Sequence, residues 1–186
     1  MRTKFIMYVA AFFMVLVSCE KEALVEAEIQ EVPLHLKVDS QKAKQVLSFK
    51  AHLSGDQEVP PAETKATGQT IFKLSKDGTE LEYKLIVANI ENVRMAHIHL
   101  GPAGANGPVV AWLYPDAPPA QLIPGRTNGI LAEGTITSAD LVGTLAGASL
   151  QDLIDLMTAG QTYVNVHTDQ YPGGEIRGQI SANNSK

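Results

Sequence analysis

The sequence contains a single cysteine, Cys19, so no disulfide can form within the chain. It also lacks an excess of basic residues: the formal net charge is −5, and it is about −7 without residues 1–18, which contain Arg2 and Lys4. A general nucleic-acid binder needs clustered lysine and arginine to neutralise phosphates. The composition therefore argues against a nucleic-acid partner.

Familiar catalytic motifs are missing as well. No Gly-x-Ser-x-Gly turn is present, and the glycine-rich residues 101–107 lack the Lys-Ser/Thr ending of a phosphate-binding loop. The sequence therefore favours a protein that is not an enzyme.

The apolar run at the start of the chain is too short to span a bilayer comfortably. It covers residues 5–17 and follows Arg2 and Lys4, which is the layout of an export signal. The run ends in Leu16-Val17-Ser18-Cys19, which resembles the lipobox of bacterial lipoproteins. We therefore predict that residues 1–18 are a signal peptide and that Cys19 is lipidated, which would anchor the protein to a bacterial membrane. The alternative is an ordinary secretory signal that leaves a free thiol.

Residues 19–45 are rich in glutamate and lysine, have no strong hydrophobic period and contain Pro33. We interpret them as a tether that places the protein in the cell envelope. The acidic residues beside Cys19 are similar to surface-export signals of some bacterial lipoproteins, which would put the protein at the outer membrane surface. A solvated linker has the same composition.

From residue 46 onward, apolar and polar residues alternate as they do in strands. Lys76-Asp77-Gly78 predicts a hairpin turn between residues 70–75 and 79–88, because glycine supplies the positive φ of such turns. Ser149, an apolar stripe at helical spacing and Gly160 predict one short helix. We expect residues 46–182 to form an all-β antiparallel sandwich or barrel with one inserted helix. The other expected strands are residues 49–53, 95–100, 109–114, 129–135, 162–168 and 175–181, with an exposed loop over 115–129.

Three segments, taken together, resemble the chordin-type domain known as CHRD. They are residues 53–61 (LSGDQEVPP), residues 96–104 (AHIHLGPAG), and residues 163–168 (YVNVHT) with 172–178 (PGGEIRG). Their order and spacing match that family, and the similarity covers residues 47–181. The resemblance implies an immunoglobulin-like β-barrel related to copper/zinc superoxide dismutase, and it implies a fold more than an activity.

The histidines form a pattern independent of that resemblance. Residues two apart on a strand face the same way, so His97 and His99 share one face, and His167 takes the same outer face on another strand. If the strands are neighbours, three imidazoles converge outside the sheet and suit copper or zinc, with ring nitrogens about 3 to 4 Å apart. Solvated histidines bonded to Glu175 or Asn165 are the alternative. His52 also faces outward but lacks a paired partner.

The dismutase resemblance implies roles for the same positions. His97, His99 and His167 match copper ligands, and Arg177 lies where an arginine follows the last ligand. The zinc-binding loop and the cysteine pair of those enzymes are missing, which places full dismutase chemistry in doubt. From the residues themselves, an ion pair of Arg177 with Glu58 or Glu175 is the expected structural role.

The sequence is compatible with two functions. The leading hypothesis is a non-enzymatic envelope module that binds a protein, a glycan or a metal ion. The second is a copper-dependent redox protein or copper carrier that uses the three histidines.

Overall fold

The computed structural model describes residues 48–183, which form eight strands and one α-helix. The predicted signal peptide and tether, and with them Cys19, lie outside the described residues. The strands are β1 (Ser48–Ser54), β2 (Thr67–Leu74), β3 (Leu81–Leu100), β4 (Val109–Tyr114), β5 (Ile123–Ile136), β6 (Thr162–Thr168), β7 (Ile176–Gln179) and β8 (Ser181–Ala182), with the helix α1 (Leu150–Thr158) between β5 and β6.

Five strands close into an antiparallel barrel in the order β1, β2, β3, β6, β7. The barrel closes where β7 meets β1, at the pair Ser54 and Arg177. Gly178 allows this close approach, because a Cβ at that position would collide with the backbone carbonyl of His52. The prediction of an all-β antiparallel fold is confirmed. Of the two architectures that were expected, a sandwich or a barrel, the closed ring of strands is a barrel. Strands β4 and β5 extend the sheet from β3, and β8 pairs with β1.

The strand β3 is longer than the sequence predicts. Residues 79–88 and 95–100 were expected to belong to separate strands, yet β3 runs without a break from Leu81 to Leu100. Asn89 and Asn92 adopt positive φ angles of 56° and 53°, a conformation that asparagine tolerates better than most residues. The pairing of β3 with β5 shifts register on both sides of this stretch. These bulges bend the strand without ending it.

The strand β5 also begins earlier than expected. The sequence predicts an exposed loop over residues 115–129, but Ile123 already pairs with Val93, and Arg126 pairs with Glu91. Only residues 116–122 form the exposed part of that loop. Prolines and glycines are tolerated here because β5 is paired with β3 alone.

The helix α1 follows the sequence prediction closely. The Ser149 side chain caps the first turn and Asp152 bonds back to the Ser149 backbone, while Gly160 follows the helix with a φ of 67°. Among the described residues, no helix is long and apolar enough to cross a membrane. The apolar face of α1 joins the barrel core, which includes Phe49, Leu53, Phe72, Leu85, Ile98, Leu153, Met157, Val164, Val166 and Ile176.

Candidate metal centre

The three histidines predicted as ligands come together on the outer face of β3 and β6. In the register of these strands, His97 lies opposite Asn165, His99 opposite Tyr163, and His167 opposite Met95. Residues paired across two strands point to the same side of a sheet. The ring centroid of His97 lies 5.4 Å from that of His99 and 5.1 Å from that of His167.

The ring nitrogens converge, and the pair from His97 and His167 has the predicted spacing of about 3 to 4 Å. Nδ1 of His97 lies 3.3 Å from Nε2 of His167, and one nitrogen from each of the three rings lies within 4.8 Å of the other two. Two nitrogens bound to one tetrahedral metal at 2.0–2.1 Å are about 3.3 Å apart. The His97 and His167 pair already has this spacing, and His99 needs a shift of at most about 1.5 Å.

The histidines are buried, which corrects the expectation of an exposed face. Their exposed fractions are 2% for His97, 8% for His99 and 6% for His167. The strand parity was right, since these side chains do point away from the barrel core. Loops then cover the outer face, so the fully solvated alternative does not hold.

Arg177 holds one of these covering loops in place. Its guanidinium donates to the backbone carbonyls of Pro102 (3.0 Å) and Ala105 (2.9 Å) and to Oδ1 of Asn106 (3.2 Å). It is 1% exposed and lies 3.4 Å from the centre of the Tyr163 ring. The planar fork of arginine suits this multiple donation.

The expected ion pair of Arg177 with Glu58 or Glu175 is therefore wrong, because within residues 48–183 no carboxylate lies within 4.0 Å of Arg177. Glu175 instead accepts hydrogen bonds from Thr64 (2.6 Å) and Thr168 (2.7 Å). Glu58 is 5% exposed, and burial raises the pKa of its carboxyl to about 7, against the opposing effect of the Arg177 charge.

Backbone carbonyls set the tautomers of two histidines. Nδ1 of His99 lies 2.8 Å from the Gly107 carbonyl oxygen, and Nδ1 of His167 lies 2.9 Å from that of Pro172. A carbonyl oxygen only accepts, so each Nδ1 carries the proton and each Nε2 keeps a lone pair. The lone pair of His99 has no partner among residues 48–183, whereas that of His167 faces Nδ1 of His97 at 3.3 Å and can accept a hydrogen bond from it. This is the arrangement that metal-binding histidines adopt, with the second ring nitrogen donating to a carbonyl.

Burial also keeps the imidazoles neutral. Loss of water, together with a smaller effect of the neighbouring histidines, lowers the pKa of His97 to about 3. The same two effects lower the pKa of His167 to about 4, against the opposing effect of its hydrogen bond to Pro172. Burial likewise lowers the pKa of His99. At neutral pH all three rings therefore present lone pairs rather than charges, which is the form that binds a metal.

Aromatic rings pack against the cluster on two sides. Tyr163 stacks on His99, with centroids 4.9 Å apart and planes within 10°. Trp112 meets His97 edge-on at 4.3 Å. The position of Trp112 as a wall of the histidine cluster was not predicted from the sequence. Trp112 lies opposite His97 in the pairing of β3 with β4. The alternation of residues along β4 is therefore the sequence signal that could have indicated this position.

The remaining candidate is not part of the cluster. His52 is exposed on β1, on another part of the barrel surface. Within the described part of the chain, the group that could hold a metal consists of His97, His99 and His167, without a carboxylate or thiolate. Three neutral imidazoles with an open fourth position suit copper or zinc.

The fold and the site thus define a small antiparallel β-barrel with three buried histidines on its outer wall. A family model described as the CHRD domain matches residues 49–180. The chain belongs to this family, as the resemblance of its three segments predicted. Neither the curated proteins nor the solved structures contain a match.

Proposed function

We propose that this CHRD domain is a non-enzymatic binding module whose ligand is one copper or zinc ion, held by His97, His99 and His167. The observation that carries the proposal is the convergence of three buried, neutral imidazoles. Nε2 of His99 is buried without a hydrogen-bond partner among residues 48–183. A buried polar atom left in this way costs about 1–3 kcal/mol, and a metal ion would remove that cost.

The cellular setting is part of the same proposal. The lipobox-like sequence before Cys19 supports a lipid anchor, and the acidic residues that follow support a position at the outer membrane surface. A tethered domain there would meet metal ions outside the cytoplasm and retain them. A copper carrier is consistent with the same residues.

Metal titration tests the proposal directly. The full chain is purified without a histidine tag and with Cys19→Ser, so that the lone thiol cannot bind metal. Trp112 is the single tryptophan and contacts His97, so its fluorescence reports binding at this site. We expect one Cu(II) or Zn(II) ion per chain and a clear change in that fluorescence.

Single replacements identify the ligands. His97→Gln, His99→Gln or His167→Gln should each weaken binding by more than about 10-fold. The matched control is His52→Gln, which removes an exposed histidine of the same domain and should leave the affinity unchanged. Absence of stoichiometric binding would overturn the metal proposal and leave a protein or a glycan as the ligand of the module.

A further inference from the structure

Met95 occupies a special position beside the histidine cluster. It lies two residues before His97 on β3 and pairs directly with His167 on β6. Paired residues point to the same side of the sheet, and their Cβ atoms lie about 4.5–5.5 Å apart. The Met95 side chain therefore belongs to the same outer face as the three imidazoles, and it is partly buried there.

A solvent-facing cavity of about 440 Å³ adjoins the cluster on this side. Met95 and His167 both line it, together with Pro119, Ala120 and Pro172. Its wall also includes Arg94 and Asp169, which form an ion pair at 2.7 Å. Met95 and His167 therefore border the same solvent-facing space.

We infer that Met95 supplies a thioether sulfur to the ion bound by the histidines and thereby directs the site toward Cu(I). This inference rests on the proposed function, which leaves the metal as copper or zinc. Three imidazoles leave a coordination position open. A thioether is a soft ligand that favours Cu(I), whereas Zn(II) gains little from it.

The test compares Cu(I) and Zn(II) on the Cys19→Ser chain. Cu(I) affinity is measured anaerobically by competition with a chromophoric chelator, for the unsubstituted site and for Met95→Leu. Leucine conserves volume and typically costs less than about 1.5 kcal/mol of stability. The matched control is Met157→Leu, because Met157 is a buried methionine on α1, within the core.

We expect Met95→Leu to lower Cu(I) affinity at least about 10-fold while Zn(II) affinity stays within about twofold. Met157→Leu should change neither affinity. X-ray absorption of the Cu(I) form should show sulfur near about 2.3 Å, and Met95→Leu should abolish that signal. This spectrum tests the inference even if the variant folds poorly, since the unsubstituted site must already show sulfur.

The outcomes separate the two proposals. If the histidines bind metal, yet the Cu(I) spectrum contains no sulfur and Met95→Leu binds Cu(I) normally, Met95 is a packing residue and only this inference fails. If neither Cu(I), Cu(II) nor Zn(II) binds the unsubstituted site, the proposed function fails, and the inference fails with it.

Discussion

His97, His99 and His167 are bases held away from water, and this position links protonation to folding. In the unfolded chain each imidazole titrates near its ordinary pKa of about 6.5. In the folded protein the pKa values of His97 and His167 fall to about 3 and about 4. At pH values between the folded and the unfolded pKa, the unfolded chain binds more protons than the folded protein does. Lowering the pH through this range therefore favours unfolding.

Acidification should therefore destabilise the metal-free domain. Glu58 acts in the opposite direction, because its raised pKa of about 7 makes the folded state bind a proton more readily than the unfolded chain. With two strongly shifted histidines against one carboxyl, we expect the unfolding free energy to fall by about 1 to 3 kcal/mol from pH 7 to pH 5. Urea unfolding in the presence of a chelator measures this change.

A variant isolates the histidine contribution. His97→Gln removes one of the depressed pKa values, so the loss between pH 7 and pH 5 should shrink by up to about 2 kcal/mol. Stability that stays constant or increases on acidification would contradict the burial of neutral imidazoles.

At the scale of elements, the side of β3 that His97 and His99 face could be predicted from the sequence, whereas the burial of these side chains could not. The alternation around His97 and His99 is local, and it correctly placed both rings on the outer face of β3. The loop that contacts His99 through Gly107 is bonded to Arg177 at Pro102 and Ala105, more than seventy residues earlier in the chain than Arg177. Contacts over such separations leave no periodic signal in the sequence.

The extent of β3 was unpredictable for a different reason. Asparagine is common in turns, but Asn89 and Asn92 both bond to the partner strand β5. The backbone N–H of Asn89 donates to the side chain of Asn128, and the side chain of Asn92 accepts from the backbone N–H of Gly125. Whether an asparagine ends a strand or forms a bulge depends on what lies opposite. The helix α1 was predicted accurately because its cap, apolar stripe and final glycine are all local.

Closure of the barrel depends on the absence of a side chain at one position of β7. A Cβ at Gly178 would collide with the backbone carbonyl of His52, and backbone cannot move aside cheaply. Gly178→Ala should therefore lower the unfolding free energy by about 1–3 kcal/mol. The control is Gly173→Ala, because a Cβ there meets nothing within 4 Å. Equal stability of the two variants would show that β1 and β7 do not pack as closely as described.

For the whole molecule, the CHRD match over residues 49–180 assigns the β-barrel to a family but leaves the anchor as a proposal. Lipidation at Cys19 would place the three-histidine cluster outside the cytoplasm, tethered by residues 19–45. The proposed anchor and the proposed metal site lie on separate parts of the sequence, so each can be removed without the other.

Metabolic labelling with a fatty-acid analogue tests the anchor. The protein should be labelled and found in the membrane fraction, because buried acyl chains contribute about 0.8 kcal/mol per methylene. Cys19→Ala should lose both the label and membrane retention, whereas the control His97→Gln should keep both. An unlabelled wild-type protein released from the membrane would contradict lipidation.

The most direct test of the metal site is to locate the ion itself. Crystals of the Cys19→Ser chain grown with Zn(II) or Cu(II) would show the metal through its anomalous scattering. One peak is expected about 2.0–2.1 Å from a ring nitrogen of His97, from Nε2 of His99 and from Nε2 of His167. A peak bound only at His52 or elsewhere on the surface, or three empty imidazoles at saturating metal, would contradict it.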